Sequence, residues 1–311
     1  MENRLFVSSS PHIRSSETTQ RIMRDVTIAL LPAAAYGVYN FGLRALVVLV
    51  LSVVSAIAAE AMCQKIRKQA LTINDYSAIV TGLLLGMNLP SEVPYWIPVV
   101  GSFFAIAIVK QAFGGLGHNF INPALAARAM LVASWPVQMT TWTPVTPDAV
   151  SSATALGIIK EGLDVPLPSL FDLFIGKMGG CIGETSALLL LLGAAYLLYR
   201  GVISIKIPGI YIGTFTLLTL LITGFDVQLT LVHILSGGLI LGAFFMATDY
   251  ASSPITPKGQ IIYAVGMGLL TVVIRFYGGY PEGVSYSILL MNVAAPLIDK
   301  YTKPRVFGGA K

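Results

Sequence analysis

The stretch Leu43-Arg44-Ala45-Leu46-Val47-Val48-Leu49-Val50-Leu51-Ser52-Val53-Val54-Ser55-Ala56-Ile57-Ala58-Ala59-Glu60-Ala61-Met62 decides the fold. Its only charges, Arg44 and Glu60, sit near its ends, and its length matches the roughly 20 apolar residues a helix needs to cross a hydrocarbon core. Read outward with that template, the chain predicts ten spans, near 26–40, 43–62, 77–89, 94–113, 120–134, 184–200, 207–224, 229–248, 259–278 and 282–300. The third and fifth are short. Composition agrees, with 55% hydrophobic and 11% charged residues in 311, against roughly 25% charged in soluble domains. A conventional cytosolic enzyme, a disordered linker and a secreted disulfide scaffold are excluded, and the chain's solvent is the lipid bilayer.

Twenty Lys and Arg against 15 Asp and Glu make the chain basic, yet the bases lie between apolar runs and point to no nucleic acid. With ten spans and a cytoplasmic N-terminus, Arg44, Lys160 and Lys177 fall outside, and Arg128 and Arg275 fall within or at the edge of spans. The remaining bases, Lys110 among them, fall inside. The positive-inside rule then places both termini in the cytoplasm. The first 25 residues are polar and basic, with no cleavable signal peptide. Cys63 and Cys181 belong to no CxxC or His-rich group, so neither a disulfide framework nor a metal site is expected.

The two halves echo each other. Gly82-Leu83-Leu84-Leu85-Gly86 parallels Gly238-Leu239-Ile240-Leu241-Gly242, Gly114-Gly115 parallels Gly278-Gly279, and Asn122-Pro123 parallels Asn292 with Pro296. Five spans per half imply two inverted-topology repeats, an arrangement found among transport folds; chance recurrence in a Leu-rich chain is the alternative. The organisation is then a cytoplasmic segment 1–25, a first repeat 26–134, an extracytoplasmic loop 135–183, a second repeat 184–300 and a cytoplasmic tail 301–311.

That loop is long, Pro-rich and Thr-rich, and loops of this length are usually functional or disordered. Within it, Asp148-Ala149-Val150-Ser151-Ser152-Ala153-Thr154-Ala155-Leu156 reads as a small-residue turn into a short helix over 154–161, with Ser151 or Ser152 as N-cap. The small neighbours leave the Thr154 hydroxyl open, and that oxygen can carry a phosphoester.

Asp-x-x-Ser-x-Ala-Thr resembles the motif in which FMN is attached through its phosphate to the final threonine. Ser9-Ser10-Pro11-His12 with Ile22-Met23, Gly114-Gly115-Leu116-Gly117-His118-Asn119-Phe120-Ile121-Asn122-Pro123-Ala124, and Phe245-Met246-Ala247-Thr248-Asp249-Tyr250 with Ser253-Pro254 and Lys258-Gly259 resemble signatures of the NqrB/RnfD family, and the short N-terminus resembles its RnfD branch. Ser152 stands where the family often has Gly, and Ala155 where the branch often has Pro. The resemblance implies a flavoprotein electron-transfer subunit of an Rnf-type complex, which passes electrons between reduced ferredoxin and NAD and moves Na+ or H+. It implies covalent FMN on Thr154, with Asp148, Ser151, Ser152 and Ala153 read by a flavin transferase, and other Rnf subunits as partners that perform the hydride chemistry. No catalytic residue is expected in this chain. Riboflavin, a second flavin of the NqrB branch, is an open expectation.

Other candidates keep two readings. Asn122 and Pro123 suit an N-cap and first helical position, whereas Gly115, Gly117, Asn119 and Asn122 suit a backbone approach to a second flavin or an ion. Asp249 suits a cation or a solvated cap. Arg128, mid-helix, is costly in lipid and belongs in the bundle interior, as an ion pair or on a flavin or ion pathway. Glu60 and Glu184 read as helix-end carboxylates reaching water, and His118 and His233 as packing or capping residues. The competing classes are a small-solute transporter or channel, free of covalent flavin, and the quinone-reducing NqrB-type subunit, which needs a longer N-terminal region.

Overall fold

The computed structural model describes residues 17–142, 154–279 and 282–303. Among them there is no strand. The helices are α1 (Thr19–Phe41), α2 (Leu43–Ile66), α3 (Ser77–Met87), α4 (Trp96–Gln111), α5 (Pro123–Ser134), α6 (Pro136–Thr140), α7 (Ala155–Glu161), α8 (Leu170–Ile175), α9 (Ala187–Tyr199), α10 (Lys206–Ile222), α11 (Val227–Leu235), α12 (Leu239–Met246), α13 (Pro257–Tyr277) and α14 (Val284–Thr302). By length and composition α2 and α13 can each cross a membrane, and α11 with α12 qualifies as one bent span. α3, α4, α5, α9 and α10 are shorter apolar helices. The protein is an all-α membrane protein.

Local chemistry sets the helix ends. Thr18 caps α1, accepting from the Arg21 N–H at 3.3 Å, and Gly42 at φ 73° ends it. Thr256 caps α13, with Pro257 at its first position. Two helices contain π-turns, over Phe104–Gln111 in α4 and Gly242–Met246 in α12. Such bulges re-aim side chains and recur at functional sites.

The apolar run 229–248, expected as one span, is broken. Gly237 and Gly238 both adopt left-handed φ, at 69° and 66°, a conformation glycine enters without penalty, and α11 meets α12 at 62°. The expected loop 135–183 contains three short helices, α6, α7 and α8.

α2 packs against α3 and α4, α10 against α13, and α13 against α14, while α1 against α9 and α5 against α14 join the two halves. At the α1–α9 crossing a Cβ on Gly193 would lie 2.2 Å from the Ala29 carbonyl oxygen. Only hydrogen fits there, as at other helix interfaces in membranes built on small residues.

Candidate functional site

α5 is short because Asn122 and Pro123 start it inside the bundle. The Asn122 carboxamide oxygen accepts from the N–H groups of Ala124 at 3.0 Å and Leu125 at 3.2 Å, and Pro123 occupies the first helical position. The capping reading is therefore correct. Starting there, the helix carries Arg128 into the bundle interior at 6% exposure.

The Arg128 guanidinium has both terminal nitrogens engaged. It donates to Asn88 Oδ1 at 3.2 Å, Ser285 Oγ at 2.8 Å, Glu184 Oε1 at 3.2 Å, Cys181 Sγ at 3.4 Å and Glu282 Oε2. The ion-pair reading of Arg128 holds, and Glu184, expected to reach water, is instead buried beside it. Glu184 precedes α9 rather than opening it, and it packs on Gly238, where a Cβ would lie 2.4 Å from Oε1. Asn88, Glu282 and Ser285 escaped the sequence reading, having no local pattern to mark them, and Cys181 was read there only as belonging to no CxxC or His-rich group.

A second arginine clamps the helix break. Arg275 donates from Nε to the Glu282 carbonyl at 2.7 Å, and from its terminal nitrogens to the carbonyls of His233, of Ser236 at 3.1 Å and of Gly237 at 3.2 Å. Its guanidinium lies 4.9 Å over the Phe215 ring. Lys160 of α7 reaches the carbonyls of Arg275, at 3.2 Å, and Gly278, and burial lowers its ammonium pKa from the ordinary lysine value. These bonds tie α7 to the end of α13.

Thr154 itself caps α7: its Oγ1 accepts from the Gly157 N–H at 3.1 Å. The expected Ser151 or Ser152 cap is thus corrected, and the helix runs over 155–161. Ala155 takes the first helical position, where proline is equally accommodated, so its departure from the family pattern is conformationally neutral. Asp148, Ser151, Ser152 and Ala153 lie outside the described residues. Thr154 stands in the wall of a cavity of about 470 Å³, with Arg128, Trp142, Glu161, Glu282 and Tyr286 among its lining. Ligand sites typically occupy roughly 300–1,000 Å³.

A smaller cavity, about 100 Å³, lies at the other end of α5 and is lined by Ser77, Lys110, Asn119, Asn122 and Asp249. Lys110, assigned from sequence to the cytoplasmic side with the loop bases, is buried within α4; its ammonium meets Glu60 Oε1 at 2.8 Å and Ser77 Oγ at 2.6 Å. Glu60, expected to reach water, is 1% exposed and also accepts from Gln111 Nε2 at 2.8 Å. Asp249 accepts from Asn119 Nδ2 at 3.3 Å and Ser252 Oγ at 2.9 Å, so it joins the halves. Gly115 and Gly117 adopt φ of 96° and 84°, the freedom expected of the glycine motif, but neither lines this cavity. His233 is buried against Phe276, ring centroids 4.9 Å apart, and His118 packs over Gly114.

Apolar helices around buried, ion-paired charges, with a cavity at each end of one short helix, define a polytopic membrane protein built to hold polar groups inside its bundle. The chain belongs to the NQR2, RnfD, RnfE family, which it matches over residues 6–308. It is 59% identical to the D subunit of the Na(+)-translocating ferredoxin:NAD(+) oxidoreductase complex of Acetobacterium woodii, covering 100% of this chain and 97% of that one. It is 48% identical to the D subunit of the proton-translocating ferredoxin:NAD(+) oxidoreductase complex of Clostridium ljungdahlii, covering 99% and 97%. The D subunit of the ion-translocating oxidoreductase complex of Stutzerimonas stutzeri is 41% identical, with 95% and 93% covered.

Proposed function

We propose that this chain is the D-type membrane subunit of an Rnf-type complex, relaying electrons between reduced ferredoxin and NAD in a complex that moves Na+ or H+. In this reading Thr154 carries FMN as a phosphoester installed by a flavin transferase, other Rnf subunits are the partners, and the cytoplasmic membrane is the location. The observation that carries the flavin assignment is the placement of Thr154 in the wall of a ligand-sized cavity, at the end of a sequence resembling a flavinylation motif.

The residues present fit such a group. Trp142 and Tyr286 offer aromatic surface on the cavity wall, and flat rings stack readily on such surface. The Gly157 N–H fixes the Thr154 oxygen at the cavity wall, and the bond from Lys160 to the carbonyl of Arg275 anchors α7, so the attachment point is held on a tethered element. Arg128 has both terminal nitrogens committed to Glu184, Glu282 and their neighbours, so in this reading it holds the cavity wall. When bound, FMN supplies reversible electron transfer; the protein supplies position and electrostatics.

The same reading has ten spans in two inverted repeats, both termini cytoplasmic and the loop carrying Thr154 outside. The asparagines Asn122 and Asn292, at corresponding places in the two halves and joined by a hydrogen bond, favour the repeat. The Asn119–Asn122–Asp249 cavity, at about 100 Å³, is smaller than ligand sites usually are, so riboflavin is not assigned to it. Thr154→Ala tests the central assignment. Fluorescence of the denatured subunit in a gel and the mass increment of FMN both disappear, and ferredoxin-dependent NAD reduction by the complex stops. A fluorescent Thr154→Ala band overturns it.

A further inference from the structure

Arg128 faces two carboxylates with one positive charge. Glu184 and Glu282 both accept from its guanidinium, the Cys181 thiol stands beside them, and the ligand atoms of the three lie within 4.8 Å of one another. The side chains of Arg128, Glu184 and Glu282 are 8%, 5% and 18% exposed. Asn88 and Ser285, which also bond Arg128, are neutral.

Among the described residues, Arg128 is the cation hydrogen-bonded to both carboxylates; Arg275 stands close enough to act on them through space but hydrogen-bonds neither side chain. From α13, Arg275 gives its N–H groups to the carbonyls of His233, Ser236, Gly237 and Glu282. From α7, Lys160 bonds the carbonyls of Arg275 and Gly278, while Glu161 adds a further acid to the cavity wall. With both carboxylates ionised, two like charges within 4.8 Å of one another would share the guanidinium that hydrogen-bonds them. Proteins avoid an uncompensated buried charge by neutralising the group, and two carboxylates held close together resist double ionisation.

We propose that Glu184 and Glu282 hold one proton between them at neutral pH, so that the cluster is a proton-binding site in the wall of the Thr154 cavity. Glu282, the more exposed, pairs with Arg128 as the carboxylate; Glu184, deeper and in longer contact, is the acid. On raising pH the Glu184 carboxylic acid releases its proton to water and becomes a carboxylate. Glu282 lines the same cavity as Thr154, so added negative charge there strengthens proton binding by the pair. This last step rests on the flavin reading of Thr154; the shared proton does not.

Infrared spectroscopy of the carboxylic-acid C=O stretch in the intact complex tests both parts. In the Thr154→Ala complex, without flavin on this chain, one band is expected at neutral pH, with loss of that band in both Glu184→Gln and Glu282→Gln. The second loss is diagnostic, because Glu184 as the sole partner of Arg128 ionises, whereas an independently buried acid would keep its proton. Gln preserves side-chain size, and titration of the band in the unsubstituted complex gives a readout needing no variant. Absence of the band, or its persistence in Glu282→Gln, overturns the shared proton. In the unsubstituted complex, chemical reduction of the flavin is expected to move the band's loss to higher pH; an unmoved titration overturns the coupling. A fluorescent Thr154→Ala chain that keeps the band refutes the flavin assignment while supporting the proton site.

Discussion

The backbone N–H of Asn122 donates to the side-chain oxygen of Asn292 at 3.1 Å, across 170 positions of sequence. Asn292 in turn donates to the Tyr263 hydroxyl at 2.6 Å and the Ser252 carbonyl at 3.1 Å, and Asn122 reaches the Met246 carbonyl at 3.4 Å. An orphan N–H at the start of α5 is thereby satisfied by the last helix of the chain. Asn292→Leu leaves that N–H and the Tyr263 hydroxyl unpaired in the core, at a cost of about 1–3 kcal/mol for a buried unsatisfied group. Thermal unfolding of the detergent-solubilised complex should shift down for Asn292→Leu, and by less for Asn292→Gln.

Arg128 and Arg44 make opposite predictions. Arg44 pairs with Glu92 at 2.6 Å, but both side chains are well exposed, and such pairs contribute about 0–1 kcal/mol. Removing Arg128 leaves the buried Glu184 and the partly buried Glu282 without their shared guanidinium, and breaking a buried pair from one side costs roughly 3–5 kcal/mol. Complex yield and electron transfer should therefore fall in Arg128→Leu and hold in Arg44→Leu. Equal behaviour of the two would show that Arg128 is not the keystone of its cluster.

The Glu60–Lys110 pair is testable by a double-mutant cycle. Lys110→Met alone leaves Glu60 buried without its cation, again about 3–5 kcal/mol, whereas Lys110→Met with Glu60→Gln removes the charge imbalance. The double variant should be more stable than Lys110→Met, with a coupling energy above the roughly 0.5 kcal/mol scatter of independent sites. Additive losses would sink the idea of a specific pair.

Gly193→Val puts side-chain atoms into the Ala29 carbonyl. Overpacking of this kind costs about 1–3 kcal/mol. Reduced stability in Gly193→Val beside an unchanged Gly213→Ala, where a Cβ meets nothing within 4 Å, would confirm the α1–α9 crossing.

Topology is best probed at Lys177, which is exposed, rather than at Lys160, whose ammonium holds two carbonyls. In a background lacking Cys63 and Cys181, Lys177→Cys should react with an impermeant thiol reagent on spheroplasts whose cytoplasmic membrane is sealed. Labelling only after lysis would reverse the assigned orientation.

Much of the scaffold was legible because apolar length is a strong one-dimensional signal: the predicted span 43–62 starts with α2 and stops four residues short of its end, and 259–278 is α13 within two residues. Asn122-Pro123 carried its own cap chemistry, and Arg128 could go nowhere but inward. The break at 236–238 was misread although its Gly237-Gly238 pair was visible, because hydropathy averages across a turn that apolar neighbours surround. Glu60, Lys110 and Glu184 were misplaced for a different reason. Their positions near expected span ends suggested water, and only tertiary packing supplies the partners, 50 and 56 positions away, that make burial tolerable. Glu282 was invisible for the same reason.

The break between α11 and α12 resembles, in one respect, those of transporters whose unwound carbonyls coordinate a passing cation. Here the occupant of the carbonyls of His233, Ser236 and Gly237 is the guanidinium of Arg275, covalently part of the chain. Its effective concentration at those oxygens is fixed by the helix that carries it, and it has nowhere to diffuse. A site that elsewhere would exchange ions has here no dissociation rate, and a discontinuity that could have served as a gate is a permanently ligated joint.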